Sequence, residues 1–452
     1  SACNVEIPHN KETVLILKGA PEKVLTFCDK FYLDGKYLAL SNDKKQEISH
    51  LLTSRSEQGF RLISFAKKEL NQNIANSLAK IENTIYLGTA VIYDPPKDEV
   101  KLTIQEAKDA PIKVVMITGD SKKTGFSIAE HVGIADKIEQ AIEGKELEAL
   151  SDNEFHERVE SFLVYSRVAP LDKLKIIEQL KSKNHIVAMT GDGVNDALAL
   201  KRADVGIAMG RAGSQVAQEA ADIILTDDNF STIINGIKEG RTIYQNLKKL
   251  VRYLVTNNVG KVLALIVTPL LGFPTPLLAV QILWSNVIME AFPAVAISID
   301  PSNKSIMKKP PVKLDAPIFF LKERLTLIID GIIFGLAITF GYIFVIQQTA
   351  NVDLARTTAF MITLISPQLY IFILREGNFW QKLTNPNKLL KSCLFITIFS
   401  SLLIVYIPIL NTIFKTAPIL NPKIWGLILL LSLATSIIRL LITTFSTLLK
   451  KV

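Results

Sequence analysis

The chain has 452 residues, of which 49% are hydrophobic and 21% charged, and its formal net charge is +8. Residues 1–249 contain 33 Lys and Arg against 36 Asp and Glu, whereas residues 250–452 contain 18 against 7. Because the positive excess lies in the apolar half, it indicates loops between membrane spans and argues against a nucleic-acid partner.

The cysteines and the first residues give two further expectations. Cys3, Cys28 and Cys393 are far apart and have no metal-ligand spacing, which predicts a reduced, cytosolic setting for the soluble half. The chain begins at Ser1 without an initiator Met or an apolar signal region, so we expect it to be part of something longer.

Two units of strand, polar turn and helix predict an α/β fold in the soluble half. The first is the apolar run from Val114 to Thr118, followed by Gly119 and Asp120. The second is the run from His185 to Met189, followed by a glycine-rich turn. Such a repeat predicts a doubly wound parallel sheet.

The stretch from Met189 to Gly210 contains the most informative polar residues. Asp192, Asn195 and Asp196 follow the second strand, at the edge where an open parallel sheet binds its ligand. Their oxygen atoms suit Mg²⁺ beside a phosphate. For three polar residues alone, the alternative is an Asp/Gly-rich turn without chemistry. The length of the stretch and its neighbouring elements favour the magnesium site.

Lys173 lies between the two strand units, in the segment from Tyr165 to Lys175. Its ammonium could neutralise a phosphoryl oxygen. Considered alone, it is more typical of an ordinary lysine on a helix surface.

Six apolar stretches are each long enough to cross a bilayer, which takes roughly 20 residues per helix. The predicted spans are Leu250 to Leu271, Leu277 to Ile297, Leu325 to Ile346, Thr357 to Leu374, Leu389 to Leu410 and Ile424 to Leu448. Lysine and arginine are concentrated in the loops after the second and fourth spans, from Lys304 to Arg324 and from Arg375 to Lys391. The positive-inside rule therefore places the soluble half and both termini in the cytoplasm.

Polar residues inside the spans are the candidates for contact with an ion. In the first span Asn258 and Lys261 are three residues apart, on one helix face, and in the second Asn286 and Glu290 are four apart. Lys261 lies about 16 Å past Leu250 at 1.5 Å per residue, too deep for its ammonium to reach the surface easily. We predict an ion pair of Lys261 with Glu290, which serves either transport or structure alone.

Two other intramembrane features lead to separate expectations. Asp330 is near one end of the third span, so we expect it at the membrane interface. Pro367 and Gln368 are expected to break the fourth span, either exposing a backbone carbonyl to an ion or only kinking the helix.

Together these residues resemble the P-type ATPases over essentially the whole chain, and most closely the branch that contains the calcium pumps. The matching segments are Lys18 to Glu22, Gly59 to Leu62, Asp94 to Lys97, Thr118 to Asp120, Arg167 to Lys173, Met189 to Gly210, Asp227 to Thr232 and Gly240 to Tyr244.

The resemblance implies three domains and two cofactors, ATP and Mg²⁺. Residues 1–90 would be the carboxyl-terminal part of a nucleotide-binding domain. Residues 91–244 would be a haloacid dehalogenase-like phosphorylation domain lacking its first strand. Residues 245–452 would be an all-α membrane domain of six helices, in contact with lipid.

The resemblance also assigns roles to the soluble residues. Lys18 and Arg61 would bind ATP, at the adenosine and at the phosphates, together with Arg167. Asp94 would lie at a domain hinge. The phosphorylation site would comprise Thr118, Gly119, Asp120, Lys173, the Mg²⁺ ligand Asp192, Asn195 and Asp196.

Two departures from the family pattern bear on function. The family's phosphoryl acceptor is the aspartate of an Asp-Lys-Thr-Gly-Thr loop, which does not occur here. We therefore expect this chain alone to be inactive. It would need an amino-terminal half with an actuator domain and four helices.

In the membrane, Asn258, Asn286 and Glu290 match ligand positions of the calcium pumps, but Lys261 and Met289 replace a glutamate and a threonine. The lysine disfavours binding of two calcium ions and resembles the bacterial potassium-uptake P-type pump.

The leading prediction is therefore ATP-driven cation transport by a multi-pass protein of the cell membrane. The alternative is a half-pump that acts as a regulatory or complementing membrane subunit without its own ATPase activity. A membrane-tethered phosphatase is a weaker alternative, because its nucleophilic aspartate is also absent.

Overall fold

The computed structural model describes residues 2–7, 12–57, 60–70, 82–92, 96–301, 305–313, 315–375, 377, 382 and 387–448. The hinge candidate Asp94 lies outside these residues. The chain forms two compact units, the first Ser1–Asn235 with Pro310–Leu314 and the second Gly236–Lys309 with Asp315–Val452. The division at residue 235 precedes the predicted boundary at residue 244, and a single helix, Phe230–Leu270, runs through both positions.

The amino-terminal part of the first unit is a mixed sheet. Its described strands are β1 (Ala2–Ile7), β2 (Glu12–Gly19), β3 (Cys28–Leu33), β4 (Lys36–Ala39), β5 (Arg61–Leu70) and β6 (Thr84–Ile92), in the order β1-β2-β5-β6-β3-β4. Helices α1 (Pro21–Thr26) and α2 (Asn42–Glu57) contribute Val24, Leu25 and Leu52 to a buried core with Leu17 and Ala66. This arrangement sets Lys18 of β2 opposite Phe65 of β5.

The rest of the first unit is parallel α/β, as the sequence predicted. Strands β7 (Met116–Thr118), β8 (Ala141–Glu143) and β9 (Val164–Ser166) pair in the order β7-β9-β8, and β10 (Ala188–Gly191), β11 (Val205–Met209) and β12 (Ile223–Leu225) pair in chain order. Every one of these pairings is parallel. The strands of the described residues therefore form two three-stranded sheets rather than one.

Helices cover these two small sheets. They are α3 (Asp98–Asp109), α4 (Lys122–Val132), α5 (Gly144–Glu148), α6 (Asp152–Arg158), α7 (Pro170–Ser182), α8 (Ala197–Arg202) and α9 (Gln215–Ala220). Ile177 of α7 and Leu200 of α8 are buried with Met189 and Ala208. This packing fixes the carboxyl end of β10, where the predicted magnesium residues begin.

Gly191 shows why that strand end needs glycine. A Cβ at this position would lie 2.5 Å from the Cβ of Asp196, closer than real Cβ contacts. Any other residue would displace the turn that carries Asp192 and Asp196.

The second unit is helical. Its helices are α10 (Phe230–Leu270), α11 (Ala279–Trp284), α12 (Ala291–Ser298), α13 (Leu321–Thr349), α14 (Val352–Leu374), α15 (Lys388–Tyr406), α16 (Pro408–Phe414) and α17 (Pro422–Leu448), with a π-helical turn, Ser285–Glu290, between α11 and α12. Within the described residues, six helices are long and apolar enough to cross a membrane, which confirms the six predicted spans.

Several details of the spans differ from the prediction. The fifth ends at Tyr406, because Pro408 begins a separate helix. Pro367 does not break the fourth span, since α14 continues through it. The second span changes to π-helical winding over Ser285–Glu290, a distortion often found at functional sites.

Asp330 is buried among side chains of other helices, and its expected depth at the membrane interface stays a prediction. Its side chain is 0% exposed, and Oδ2 accepts hydrogen bonds from Arg252 Nη2 at 2.9 Å and from the Tyr370 hydroxyl at 2.8 Å. The backbone carbonyl of Asp330 accepts from Arg439 Nη2 at 2.9 Å. The carboxylate is tolerated inside the bundle because the partly buried Arg252 and the fully buried Arg439 compensate its charge.

Helices α10 and α13 approach each other closely at three glycines, Gly260, Gly331 and Gly335. A Cβ on Gly335 would lie 2.7 Å from the carbonyl oxygen of Gly260. A Cβ on Gly260 would overlap the ring of Phe334 and lie 3.0 Å from the carbonyl oxygen of Gly331. Small residues at such a crossing let membrane helices pack through their backbones.

We expect Gly260→Ala to destabilise the chain by about 1–3 kcal/mol, because the added methyl group overpacks the crossing of α10 and α13. Gly236→Ala is the matched control, since its Cβ on the same helix would meet nothing within 4 Å. Thermal unfolding in detergent micelles should show a lower midpoint for Gly260→Ala alone. Equal midpoints for the two variants would contradict the close crossing.

Candidate functional site

The first unit contains a cavity of about 570 Å³. Its lining includes Lys18 on β2, Arg61 at the start of β5, Gly119 and Asp120 after β7, and Arg167 after β9. The volume lies within the range of small-molecule sites. All three residues predicted to bind nucleotide, and two of those predicted at the phosphate-side loop, are thus brought to one cavity.

The arginines of this cavity are held in exposed ion pairs. Arg61 Nε is 3.9 Å from Asp120 Oδ1. Arg167 contacts Glu143 Oε1 at 3.2 Å and Glu22 Oε1 at 3.6 Å. Exposed pairs of this kind contribute little stability, so the guanidinium groups can exchange these partners for a polyphosphate.

Backbone geometry fixes Arg167 at the edge of the cavity. Its φ is 49°, in the left-handed region, and its N–H donates to the carbonyl of Thr118 at 2.8 Å. Thr118 Oγ1 in turn accepts from the backbone N–H of Asp120 at 3.1 Å. These bonds connect the turns that follow β7 and β9, so Thr118 positions the residues on both sides of the cavity.

Arg61→Ala should weaken nucleotide binding by about tenfold or more, because a hydrogen bond to a charged group contributes roughly 1.5–3 kcal/mol. Lys30→Ala, which removes an exposed cation of the same sheet outside the cavity, serves as the control. Titration of this chain with a fluorescent ATP analogue measures both affinities. A nucleotide site elsewhere would leave the two variants equal.

A second group of predicted residues meets at the end of β10. Lys173 Nζ, on α7, is 2.5 Å from Asp196 Oδ1. The other oxygen of Asp196 accepts from the Gly193 N–H at 3.2 Å, and the Asp196 residue is 7% exposed. Asp192 and Asn195 are exposed beside them. The arrangement brings the cation of α7 to a loop that carries two carboxylates and an amide.

This loop can supply ligands to Mg²⁺ without forming a complete metal cage. In the described part of the chain, no three His, Cys, Asp or Glu side chains converge on a metal position. Mg²⁺ is commonly held by one or two carboxylates together with phosphate oxygens and water. Asp192 therefore fits as a protein ligand, whereas Asp196 is already paired with Lys173.

Asp228 lies at the end of the Met189 to Gly210 stretch. The sequence interpretation did not single it out. Its carboxylate accepts hydrogen bonds from the N–H groups of Gly210 at 2.7 Å, Arg211 at 3.1 Å and Ala212 at 2.8 Å. The backbone N–H of Arg211, followed by those of Ala212 and Gly210, lowers the pKa of Asp228. Its stabilising effect is therefore complete above the ordinary carboxyl pKa and is lost in more acidic solution.

Inside the helical unit, Lys261 forms the predicted pair. Its Nζ is 2.8 Å from Glu290 Oε1, and both side chains are 2% exposed. The same ammonium donates to Asn286 Oδ1. The ion pair joins α10 to the π-helical turn, deep in two spans.

Asn258 does not join this cluster. Its amide donates back to the carbonyl of Leu254 at 2.9 Å, and the residue is exposed. Its neighbour Asn257 is fully buried instead. The sequence spacing placed the wrong asparagine beside Lys261, because one residue along a helix rotates a side chain by about 100°.

Gln368 is an additional polar group near the pair. Its Nε2 donates to the backbone carbonyl of Met289 at 3.0 Å. In the described residues, no protein atom hydrogen-bonds Gln368 Oε1 or Glu290 Oε2. The sequence signal was present, since a glutamine inside an apolar span is unusual, but it was interpreted as a helix break.

Two family models match the chain. One, described as cation transporting ATPase, C-terminus, matches residues 274–445, and the other, described as haloacid dehalogenase-like hydrolase, matches residues 34–204. The first match falls on the helical unit and the second on the first unit.

Individual relatives match nearly the whole chain. A calcium-transporting ATPase of Bacillus subtilis is 36% identical over 423 residues, covering 93% of this chain and 47% of the relative. Calcium-transporting ATPase 1 of Bacillus cereus is 37% identical, with 93% and 49% covered. Calcium-transporting ATPase type 2C member 1 of Bos taurus is 32% identical, with 96% and 44% covered. The chain spans about half the length of the relatives it matches.

Proposed function

Since this chain belongs to the cation-transporting P-type ATPases, in which it matches the carboxyl-terminal half of the calcium-pump-like branch, we propose that it contributes the ion site and much of the phosphorylation machinery of an ATP-driven cation pump. It is a multi-pass membrane protein with six candidate spans. Its partner would be an amino-terminal half with the acceptor aspartate, an actuator domain and four further helices.

The buried pair of Lys261 and Glu290 is the observation that carries the transport proposal. Ionised side chains in the middle of membrane helices are expensive and usually mark an ion pathway. Here a lysine and a glutamate with 2% exposed side chains lie 2.8 Å apart, with Asn286 bonded to the same ammonium. A purely structural role would be served by two apolar side chains at lower desolvation cost.

The charges of this cluster bear on the cation. Lys261 and Glu290 together are neutral, so the cluster lacks the surplus of carboxylates that two calcium ions require. Oxygen ligands are still available from Glu290 Oε2, Gln368 Oε1 and Asn286. We propose that the site takes a single cation, with the lysine ammonium occupying the place of a second.

In the soluble unit, the proposed cycle uses the two groups described above. Lys18, Arg61 and Arg167 would hold ATP in the cavity, and Lys173 would stabilise negative charge on the transferred phosphoryl group. Asp192 would hold Mg²⁺, which neutralises phosphate charge when bound, while Asn195 and Asp196 shape the loop. Thr118, Gly119 and Asp120 would form the phosphate-side turn. We propose that this unit is cytoplasmic and that the pump resides in the cell membrane.

Lys261→Glu tests the ion site in a pump assembled from this chain and an amino-terminal half. Because the change removes an ammonium and adds a carboxylate, the cation concentration for half-maximal ATP hydrolysis should shift by about tenfold or more. Lys322→Glu makes the same charge change at an exposed position of α13. The assay measures ATP hydrolysis against Ca²⁺, Na⁺ and K⁺ separately. An unchanged ion dependence in Lys261→Glu would refute the assignment.

A further inference from the structure

The cavity of the first unit lies between two walls that belong to different sheets. Helix α2 packs on the six-stranded sheet through Leu52, and Ser56 lines the cavity from the last turns of this helix. Helix α4 follows strand β7 of the parallel part, and its N-cap Ser121 and its first-turn residue Thr124 line the cavity from the second wall. The width of the cavity therefore depends on contacts between the two walls.

Three hydroxyl groups connect the walls directly. Ser56 Oγ is 2.9 Å from Thr124 Oγ1 and 3.5 Å from Ser121 Oγ. Ser121 Oγ is in turn 2.9 Å from Thr124 Oγ1, and it accepts a hydrogen bond from the Thr124 N–H at 3.3 Å, which caps α4. Thr124 is 4% exposed, so this hydroxyl bridge is largely shielded from bulk water.

Ion pairs also connect the walls, but they use the arginines that a nucleotide would occupy. Arg61 lies 3.9 Å from Asp120 across the cavity, and Arg167 lies 3.6 Å from Glu22. A bound polyphosphate would take both guanidinium groups and break these two pairs. The hydroxyl bridge carries no charge and contains neither arginine, so it is able to remain while the nucleotide is bound.

We propose that Ser56, Ser121 and Thr124 are positioning residues that hold the cavity at the width that suits ATP. Exposed ion pairs contribute little to holding the walls together, so a shielded hydrogen bond has a measurable effect on their separation. The apparent affinity for a ligand falls with the fraction of molecules whose site is ready to bind. Loss of the bridge lowers that fraction. This inference rests on the proposed nucleotide site and adds residues that set its affinity.

The test compares variants of this chain in detergent micelles, each titrated with a fluorescent ATP analogue. Thr124→Val removes the bridging hydroxyl and keeps the shape of the side chain, Thr124→Ser keeps the hydroxyl, and Ser56→Ala removes its partner. Thr103→Val is the matched control. Thr103 is a threonine of α3 outside the cavity, 5% exposed, and its hydroxyl bonds to the carbonyl of Glu99 in its own helix.

Thr124→Val should bind the analogue about three- to tenfold more weakly, the usual effect of losing one hydrogen bond. Thr124→Ser and Thr103→Val should bind it as tightly as the unaltered chain does. Ser56→Ala combined with Thr124→Val should bind little more weakly than Thr124→Val alone, because both changes break the same bridge. Unchanged affinity in Thr124→Val, an equal loss in Thr124→Ser, or additive losses in the double variant would each overturn the proposal.

A second measurement does not depend on nucleotide. Hydrogen exchange without ligand, followed by mass spectrometry, should be severalfold faster in Thr124→Val than in Thr103→Val for the peptides that contain Ser56 and Ser121, since the walls separate more often. Equal exchange in the two variants would also overturn the proposal. If the unaltered chain bound no nucleotide, the nucleotide site of the proposed function would fail, and the exchange would still decide whether the bridge holds the walls together.

Discussion

Lys173→Gln should slow phosphoryl transfer about 10²–10³-fold in a pump assembled from this chain and an amino-terminal half that supplies the acceptor aspartate. A positioned charge that stabilises the transition state typically has an effect of this size. Lys173 Nζ is 2.5 Å from Asp196, on the loop that also carries Asp192, so its ammonium is already oriented before phosphate arrives. Glutamine is one bond shorter than lysine, and it keeps a polar end while removing the charge.

The measurement is the initial rate of ³²P incorporation from [γ-³²P]ATP. Lys175→Gln is the control on the same helix, because Lys175 pairs with Asp152, which is 82% exposed, at 2.7 Å rather than with the loop after β10. We expect the control to react at nearly the original rate. Comparable rates for the two variants, in complexes that bind ATP equally, would remove Lys173 from the reaction.

Asp330→Ala should lower the free energy of unfolding by about 3–5 kcal/mol, the usual result of removing one partner from a buried ion pair. The substitution leaves Arg252 without its carboxylate and removes the acceptor of the Tyr370 hydroxyl. Arg439 remains 0% exposed, 4.2 Å from the centre of the Tyr370 ring, so its positive charge also loses a nearby negative one. Residues of four helices meet at Asp330.

Asp353→Ala removes a carboxylate from an exposed pair on α14, where Arg356 Nη1 is 3.7 Å away and the Asp353 side chain is 64% exposed. Its effect should stay below about 1 kcal/mol. Chemical unfolding of this chain in mild detergent measures both variants. A small effect of Asp330→Ala would show that the two arginines do not depend on it.

The spans could be predicted because they depend on local patterns, and the main ion pair because Lys261 and Glu290 are charged residues within consecutive spans. Hydropathy alone locates six spans, and a four-residue spacing is enough to group Asn286 with Glu290. The cavity of the first unit is different, since Lys18 and Arg61 lie on neighbouring strands of one sheet and Arg167 follows a strand of another. Only the resemblance to a family could group them in advance.

The burial of Asp330 could not be predicted, because its partners come from three other helices. Arg252, Tyr370 and Arg439 lie between 40 and 109 residues away in the sequence. The rotation of α10 about its axis likewise decides which of two neighbouring asparagines is buried. Asn257 enters the bundle and Asn258 does not. Packing of whole helices sets that rotation, and one span's sequence does not specify it.

We propose that this chain works as the carboxyl-terminal half of an ATP-driven cation pump. The most direct test is phosphoenzyme formation by this chain combined with an amino-terminal half, measured with ATP and Mg²⁺ while Ca²⁺, Na⁺ and K⁺ are varied. We predict an acid-stable phosphoenzyme whose level depends on one of these cations and is lost in Asp192→Ala. A folded complex that binds ATP but forms no phosphoenzyme with any of them would contradict the account.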